Sequence, residues 1–247
     1  MLPEIAGDRV ASATQSIRGA LQSLDLGGPD LVVIVSPHGR TSGVYQDVGG
    51  SFTEFGVTGF SLDHATDAAA ASDLAAAWGK PLVHDRVDHG VLVPLALLAV
   101  GNVPVVAVAL QDTTSDSTGL APSRSAAVEA VAEDARGLAG AVEELCRERN
   151  VTFLASANTS AALNPRAPVT GLPGAQEMEE RTFAALRHDV GELEDLAADL
   201  WRLGGSCAAG PLVALSRLFA GRPAAVLAYE CPFGVGYPVA VARAGET

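Results

Sequence analysis

The stretch Leu31-Val32-Val33-Ile34-Val35-Ser36-Pro37-His38-Gly39 indicates the fold class. It begins with a run of apolar, mostly β-branched residues, which is typical of a strand buried on both faces of a sheet. A polar turn that contains a histidine follows at once. Because open α/β sheets bind their ligands beyond the carboxyl ends of their strands, His38 is a candidate site residue. We therefore expect an α/β fold with a site at this end of the strand.

The segments around this strand alternate between helical and strand patterns, as in folds built on a parallel or mixed sheet. The sequence therefore predicts a three-layer α/β sandwich, with a central, mainly parallel or mixed sheet and helices on both faces. The length suits a single domain over residues 1–247, and it also permits two smaller lobes. Further strands are expected at about Leu82–His84, Pro104–Leu110, Val151–Ala155, Ala224–Glu230 and Tyr237–Ala242. Helices are expected at about Asp67–Trp78, Val91–Val100, Arg124–Arg149, Ala175–Arg187, Val190–Leu203 and Ser206–Ala220.

Composition and charge exclude several classes of protein. With 48% hydrophobic and 18% charged residues, the chain is too apolar to stay disordered. The formal net charge of −13 repels phosphate backbones, so we expect no nucleic-acid partner. The uncharged run Val91–Leu110 approaches the length of a membrane span, but Pro94, Gly101 and Pro104 interrupt it, so we expect no membrane partner. Few, widely spaced cysteines and a start without a signal-peptide pattern predict a cytoplasmic protein.

Two further polar groups stand out beside His38. Asp88-His89-Gly90 precedes an apolar helix, and Glu230 ends the last but one predicted strand. Two imidazoles and a carboxylate that meet in the fold would make an iron-type metal site. Simpler roles stay open at this point: a loop histidine for His38, part of a helix-capping turn for His89, and an ion pair for Glu230. The motifs of serine hydrolases, phosphate-binding loops and zinc peptidases are absent from the sequence.

A wider pattern consists of the segments Leu2–Gly7, Pro29–Gly39, Asp88–Leu95, Leu154–Asn158 and Tyr229–Tyr237. Together these segments resemble the class III extradiol ring-cleavage dioxygenase superfamily, the type named after the catalytic B subunit of protocatechuate 4,5-dioxygenase. They span nearly the whole chain and follow the order of the family. The resemblance is greatest to the Memo-like members known as AmmeMemoRadiSam-system proteins.

The resemblance implies a non-haem Fe(II) oxidoreductase that acts on a catechol-like or other small aromatic substrate. By matching position, His38 and Glu230 would be metal ligands, and His89 would contact the substrate or dioxygen. A small-molecule substrate is then the expected partner. A homodimer is a further option, because members of this family often form dimers.

The chain departs from the family pattern at two positions. Members usually carry their first metal-ligand histidine in a His-Pro-Pro segment, which would fall before Met1 here. The family's Ala-Ser-Gly-Asp-Leu-Ser-His motif, whose histidine is the catalytic acid/base, appears as Ala155–Ala161 and ends in alanine. His64 or His84 could supply a replacement imidazole; otherwise His64, which directly precedes a predicted helix, is expected to be a solvated cap residue. His188 lies among charged residues at a helix end and is expected at the surface. The alternative function is therefore a catalytically degenerate member that binds a small molecule or a protein.

Overall fold

The structure, a computed structural model, describes residues 11–39, 41–98, 100–111 and 124–244. These residues form two compact units. The first comprises the described residues up to Gln111 together with Gly140–Ser156, and the second comprises residues 124–139 and the described residues from Ala157 onward. The single domain expected over residues 1–247 stays a prediction. The segment Leu2–Gly7 lies outside the described residues.

The first unit is built on a central sheet. Short segments between its longer elements include a two-stranded antiparallel β-hairpin and a 3-10 turn at Thr53–Phe55. The last turns of a long helix, α4 (Arg124–Cys146), also belong to this unit. The remaining elements are α1 (Ala11–Gln22), β1 (Leu31–Gly39), β2 (Gly43–Tyr45), β3 (Val48–Ser51), β4 (Ser61–His64), α2 (Ala68–Trp78), β5 (Leu82–Val83), α3 (His89–Leu97), β6 (Val105–Gln111) and β7 (Val151–Ala155).

The central sheet has five strands in the order β5-β2-β6-β1-β7 and is mixed. β1 runs parallel to both of its neighbours, β6 and β7, whereas β2 runs parallel to β5 and antiparallel to β6. Helices lie on both sides of the sheet, so the predicted α/β class is confirmed. The carboxyl ends of β1, β6 and β7 share one edge, and His38 lies at that edge.

The strands β1 and β6 form the centre of the core. Every residue of Leu31–Val35 is fully buried, and Val105–Leu110 is buried over its whole length. One face of these strands packs against the apolar side of α3, including Val91 and Leu95. Complete burial of each such side chain contributes roughly 1.5–3 kcal/mol. Burial on both faces explains why the apolar runs in these strands are continuous.

The uncharged run Val91–Leu110 contains most of α3 and all but the last residue of β6. Among the residues that the structure describes, no helix has both the length and the apolar character to cross a membrane.

The second unit combines helices with a separate β-hairpin. Met178, Leu193 and Leu200 are fully buried in its core. Its two strands pair antiparallel, and a β-bulge between Val226 and Ala228 shifts their register. Besides the first part of α4, its elements are α5 (Ala175–His188), α6 (Leu193–Gly204), α7 (Ala209–Leu218), β8 (Ala224–Glu230) and β9 (Tyr237–Ala242).

Candidate functional site

His38 lies in a β-bulge near the end of β1. The register between β1 and β6 shifts between Ser36 and Gly39, so β1 has one residue more than its partner over this stretch. Pro37 lies in the same stretch and has no amide hydrogen to donate to the ladder. Bulges re-aim side chains and are common next to active sites. The half-buried His38 is therefore held at a point where the strand leaves regular pairing.

His89 is the first residue of α3, and Asp88 is the N-cap of that helix. The carboxylate of Asp88 accepts a hydrogen bond from the amide of Gly90 at 2.5 Å. The imidazole rings of His38 and His89 are in contact, with centroids 4.5 Å apart and planes tilted by 30°. The fold thus brings together two of the three residues that the sequence predicts for the site.

Asp88 also binds residues outside its helix. The hydroxyl of Ser36 donates to Asp88 Oδ1 at 2.7 Å, and the hydroxyl of Tyr45 donates to Asp88 Oδ2 at 3.4 Å. The oxygen of Ser36 accepts in turn from the amide of His38 at 3.3 Å. Burial, reinforced by the charge of Asp88, raises the pKa of Tyr45, so the phenol keeps its proton and remains a donor. One carboxylate therefore connects the end of β1, strand β2 and the start of α3.

An aromatic surface adjoins the histidine pair. Phe55 meets the ring of His89 edge to face at a centroid distance of 5.4 Å. Its side chain is 43% exposed, whereas Phe52 beneath it is fully buried and also contacts Phe60. A large exposed apolar side chain beside two polar rings suits contact with a flat organic ligand.

Glu230 is the last residue of β8 in the second unit. It is half-buried and pairs with Tyr237 across the hairpin. His38 belongs to the first unit, and the meeting of these two side chains stays a prediction. Within residues 11–39, 41–98, 100–111 and 124–244, no three histidine, cysteine, aspartate or glutamate side chains form a group that could hold a metal ion.

The other histidines occupy different surroundings. His64 lies on β4 opposite Val48, where burial lowers its pKa, rather than in the helix cap expected from the sequence. His84 follows β5 and is exposed. His188 ends α5 and pairs with Glu192 at 2.8 Å in an exposed position, as the sequence predicts for a surface histidine.

Ala161 occupies the position that the resemblance matches to the acid/base histidine. Its side chain is buried, its amide donates to the carbonyl of Gly204 at 2.9 Å, and its carbonyl accepts from the amide of Val169 at 3.0 Å. A methyl group has no proton to transfer. The position is therefore a packed part of the second unit, without acid/base chemistry of its own.

The second unit also contains a buried carboxyl group, that of Glu179, which the sequence analysis did not single out. Glu179 is only 3% exposed, and its Oε1 accepts from the hydroxyl of Thr159 at 2.7 Å. Its Oε2 has no hydrogen-bond partner of normal geometry among the described residues. Burial raises the pKa of Glu179, and the hydroxyls of Thr159 and Tyr229 oppose that rise. A β-carbon at Gly236 would collide with the same carboxyl group, so the hairpin backbone lies directly against it.

A cavity of about 320 Å³ lies between α5 and β8 beside Glu179. Phe183 and Tyr229 line it and meet edge to face with ring centroids 4.7 Å apart, and the guanidinium of Arg187 lies 5.5 Å from the centre of the Phe183 ring. Val226 lines the cavity together with Tyr229 because the bulge in β8 interrupts the usual alternation of side chains. The cavity therefore combines aromatic and charged side chains.

The sequence reasoning passed over Tyr45, Phe55 and Glu179. Tyr45 and Phe55 show no local signal, because their partners Asp88 and His89 are far away in the chain. Glu179 does have a signal, since it falls on the buried stripe of an amphipathic helix. The other buried positions of that helix are Ala175, Met178, Thr182, Ala185 and Leu186.

A family model described as the catalytic LigB subunit of aromatic ring-opening dioxygenase matches residues 4–202. The chain belongs to the LigB family. The matched LigB segment contains His38, His89 and Ala161, whereas Glu230 lies beyond its end. The role expected of Glu230 therefore depends on its own segment, Tyr229–Tyr237.

A solved structure shares the fold of this chain. The crystal structure of the uncharacterized protein JW3007 from Escherichia coli K12 is similar to this chain with a TM-score of 0.58 and 16% sequence identity. The similarity covers 92% of this chain and 91% of that one. No curated protein matches the chain. Membership of the LigB family supports a dioxygenase-like fold.

Proposed function

We propose that the protein is an oxidoreductase of the extradiol dioxygenase type that acts on a catechol-like or other small aromatic substrate. The observation that carries this proposal is the contact between the His38 and His89 rings at the carboxyl edge of the central sheet. Ligand sites of open α/β sheets lie at this edge. The LigB match over residues 4–202 supplies the class of reaction.

In this proposal, His89 orients the substrate or dioxygen, and His38 and Glu230 are ligands of Fe(II). Imidazole and carboxylate donors suit non-haem iron, which oxygenases hold with two histidines and one carboxylate. The described residues do not contain a group of three such donors, so they do not make up that set.

The side chains of the first unit support binding of a flat phenolic ring. The exposed face of Phe55 offers an apolar contact, and an imidazole can accept a hydrogen bond or a proton from a phenolic hydroxyl. Asp88, Ser36 and Tyr45 use their polar atoms on one another, so the proposed substrate contacts are those of the two rings and of Phe55.

The second candidate function is a binding module that no longer catalyses ring opening. Ala161 favours it, because the resemblance matches this buried position to the acid/base histidine of the family. General acid/base catalysis typically contributes about 10²–10⁴-fold to a rate, so its loss alone would slow turnover by that amount. Binding of the aromatic ring would not require a residue there.

The decisive experiment measures oxygen uptake across a panel of catechols. Protein purified without oxygen is loaded with Fe(II), and the native chain is compared with His38→Ala, His89→Ala and Glu230→Ala. We expect iron-dependent uptake in the native protein and its loss in all three variants. His188→Ala serves as the control, because this histidine is exposed at a helix end. Uptake that is absent from the native protein, or unchanged in the variants, would refute the oxidoreductase proposal.

A companion experiment separates the two candidates. Fluorescence titration with the same catechols measures binding without turnover. A binding module would bind a catechol without consuming oxygen, and His38→Ala would lose that binding. The variant Ala161→His then tests the acid/base argument: in an active enzyme it should raise the rate, and in a pure binding module it should leave oxygen uptake at zero.

A further inference from the structure

We propose that Asp88 is a positioning residue that sets the geometry of the His38–His89 pair, acting through the hydroxyl of Ser36. This inference deepens the proposed function, because it names the residue that prepares the two imidazoles for a ligand. Its physical basis lies in the hydrogen bonds of the first unit and does not depend on the identity of the substrate.

Asp88 Oδ1 accepts two hydrogen bonds that come from different elements. One comes from the amide of Gly90 at 2.5 Å, at the start of α3, and the other from the hydroxyl of Ser36 at 2.7 Å, on β1. Each donor is close in sequence to one histidine. Gly90 follows His89 directly, and Ser36 also accepts from the amide of His38 at 3.3 Å. A single oxygen atom therefore fixes the backbone that carries each ring.

The packing around this oxygen leaves little freedom. Ser36 has no exposed surface, and Gly90 is buried. A β-carbon at Gly90 would collide with the Ser36 hydroxyl and would approach Asp88 Oδ1 to 2.8 Å. The absence of a side chain at Gly90 thus allows the start of α3 to approach the end of β1 closely enough for the serine to reach the carboxylate.

A simple helix cap does not account for these contacts. Capping α3 requires only that Asp88 accept from the Gly90 amide. The bonds from Ser36 and Tyr45 add nothing to the cap, yet both hydroxyls are buried and directed at the same carboxylate. Burying a hydroxyl costs free energy unless the hydroxyl is hydrogen-bonded. Asp88, which accepts from both hydroxyls, therefore has a role beyond the end of the helix.

The test observes the ring pair directly. The chain contains only five histidines, so selective labelling of histidine gives a small set of ring signals in NMR spectra. His38→Ala and His89→Ala assign the two signals of the pair. We expect a through-space cross-peak between these two rings in the native protein, since their centroids are 4.5 Å apart.

Four variants then separate positioning from capping. Ser36→Ala keeps the helix cap but removes the tether from β1, and Asp88→Ala removes both. Asp88→Asn keeps an oxygen that can accept from Gly90 and Ser36, so it should rescue the geometry. Tyr45→Phe is the matched control, because it deletes a buried hydroxyl whose bond to Asp88 is long, at 3.4 Å.

We expect the cross-peak to persist in Asp88→Asn and Tyr45→Phe and to be lost in Ser36→Ala and Asp88→Ala. If Asp88→Ala does not fold, Ser36→Ala still decides the matter. A cross-peak of native intensity in folded Ser36→Ala overturns the proposal, and so does its absence from the native protein.

The spectra need neither substrate nor metal, so their outcome is independent of the proposed function. Where the native protein binds a catechol, Ser36→Ala should weaken that binding roughly tenfold, the lower end of the usual effect of removing a group that holds a site residue in place. Native binding in this variant would also contradict the positioning role. A native protein that shows the cross-peak but never turns over a catechol would refute the oxidoreductase proposal alone.

Discussion

In each unit, a strand with a β-bulge lies next to a carboxyl group that is at least half-buried. The two carboxyl groups differ in the hydrogen bonds that they accept. In the first unit, Asp88 accepts from Ser36, Tyr45 and Gly90, beside the bulge that carries His38. In the second, Glu179 lies beside the bulged strand β8, and Thr159 is its one hydrogen-bond partner of normal geometry among the residues that the structure describes.

This difference shows that burial and the supply of hydrogen-bond donors together determine the role of a carboxyl group. Asp88 is half-buried and accepts hydrogen bonds from three donors, so it organises the backbone around it. Glu179 is almost completely buried, and its Oε2 lacks a hydrogen-bond partner of normal geometry within the described part of the chain, so its charged form is disfavoured and its pKa is raised. The first arrangement suits a site, and the second lowers stability as the pH rises.

The largest expected effect is that of Gly90→Ala. The added methyl group would collide with the Ser36 hydroxyl and the Asp88 carboxylate, whose own hydrogen bonds hold them in place. We expect a loss of about 3 kcal/mol in the free energy of unfolding, at the upper end of the usual effect of overpacking. Denaturant titration measures it.

The control for this variant is Gly140→Ala in α4, where nothing lies within 4 Å of the added methyl group. Replacing a glycine inside a helix should stabilise the protein by about 0.5–1 kcal/mol. Equal changes in the free energy of unfolding of the two variants would show that crowding at Gly90 does not affect stability. The contrast drawn between the two carboxyl groups would then not be supported.

A smaller loss is expected for Thr159→Val, about 2 kcal/mol, because the buried Glu179 carboxyl group would lose the hydrogen bond that the Thr159 hydroxyl donates to it at 2.7 Å. The loss should be greater at pH 8 than at pH 5, since the Thr159 hydroxyl holds the pKa of Glu179 down. Thr14→Val is the matched control: the Thr14 hydroxyl is buried without a partner among the described residues, so its removal should be neutral or stabilising. If Thr14→Val were destabilised as well, this would argue against the role given to the hydrogen bond between Thr159 and Glu179.

Glu179→Gln should change the dependence of stability on pH. A pKa raised above its ordinary value of 4.5 means that the folded protein holds a proton which the unfolded chain releases. This contribution is complete below pH 4.5 and is lost as the pH rises through the folded pKa, at up to about 1.4 kcal/mol per pH unit. The native chain should therefore lose stability relative to Glu179→Gln on going from pH 4.5 to pH 8.

The exposed Glu177→Gln on the same helix provides the comparison. Its stability should follow that of the native chain over the whole pH range. If Glu179→Gln and Glu177→Gln have parallel curves, burial does not control the ionisation of Glu179.

The smallest effect on stability is expected for Phe55→Ala, about 0.5–1 kcal/mol, because the side chain is 43% exposed and its main polar neighbour is the His89 ring. Its effect on catechol affinity should be larger than its effect on stability. Thermal unfolding and fluorescence titration on the same samples compare the two. Unchanged affinity would remove Phe55 from the proposed ligand surface.

Local patterns were sufficient for several elements. The continuous apolar run of β1 predicted a doubly buried strand, which is confirmed. The helix expected at Asp67–Trp78 appears as Ala68–Trp78, with the Asp67 side chain accepting from the amide of Ala70 at 2.9 Å and Gly79 ending it at a φ of +68°. Caps and stops of this kind depend on residues close in sequence, so the sequence contains their signal.

Other features had little local signal. The hairpin of β3 and β4 was not predicted, because its first strand contains adjacent glycines and its pairing with Ser61–His64 depends on the partner strand. His64 was therefore expected in a helix cap. The contact of His38 with His89 could be expected only through the family resemblance, since separate turns carry the two rings.

By itself, the sequence determined the class of fold and the family, because burial patterns and short motifs are properties of neighbouring residues. Only the tertiary structure decided that Asp88 joins Ser36 and Tyr45 to the start of a helix, and that Thr159 is the partner of Glu179. Hydrogen bonding and desolvation depend on which distant segments lie against a group. A carboxyl group can organise a site at one position and destabilise the core at another, and composition alone cannot distinguish the two cases.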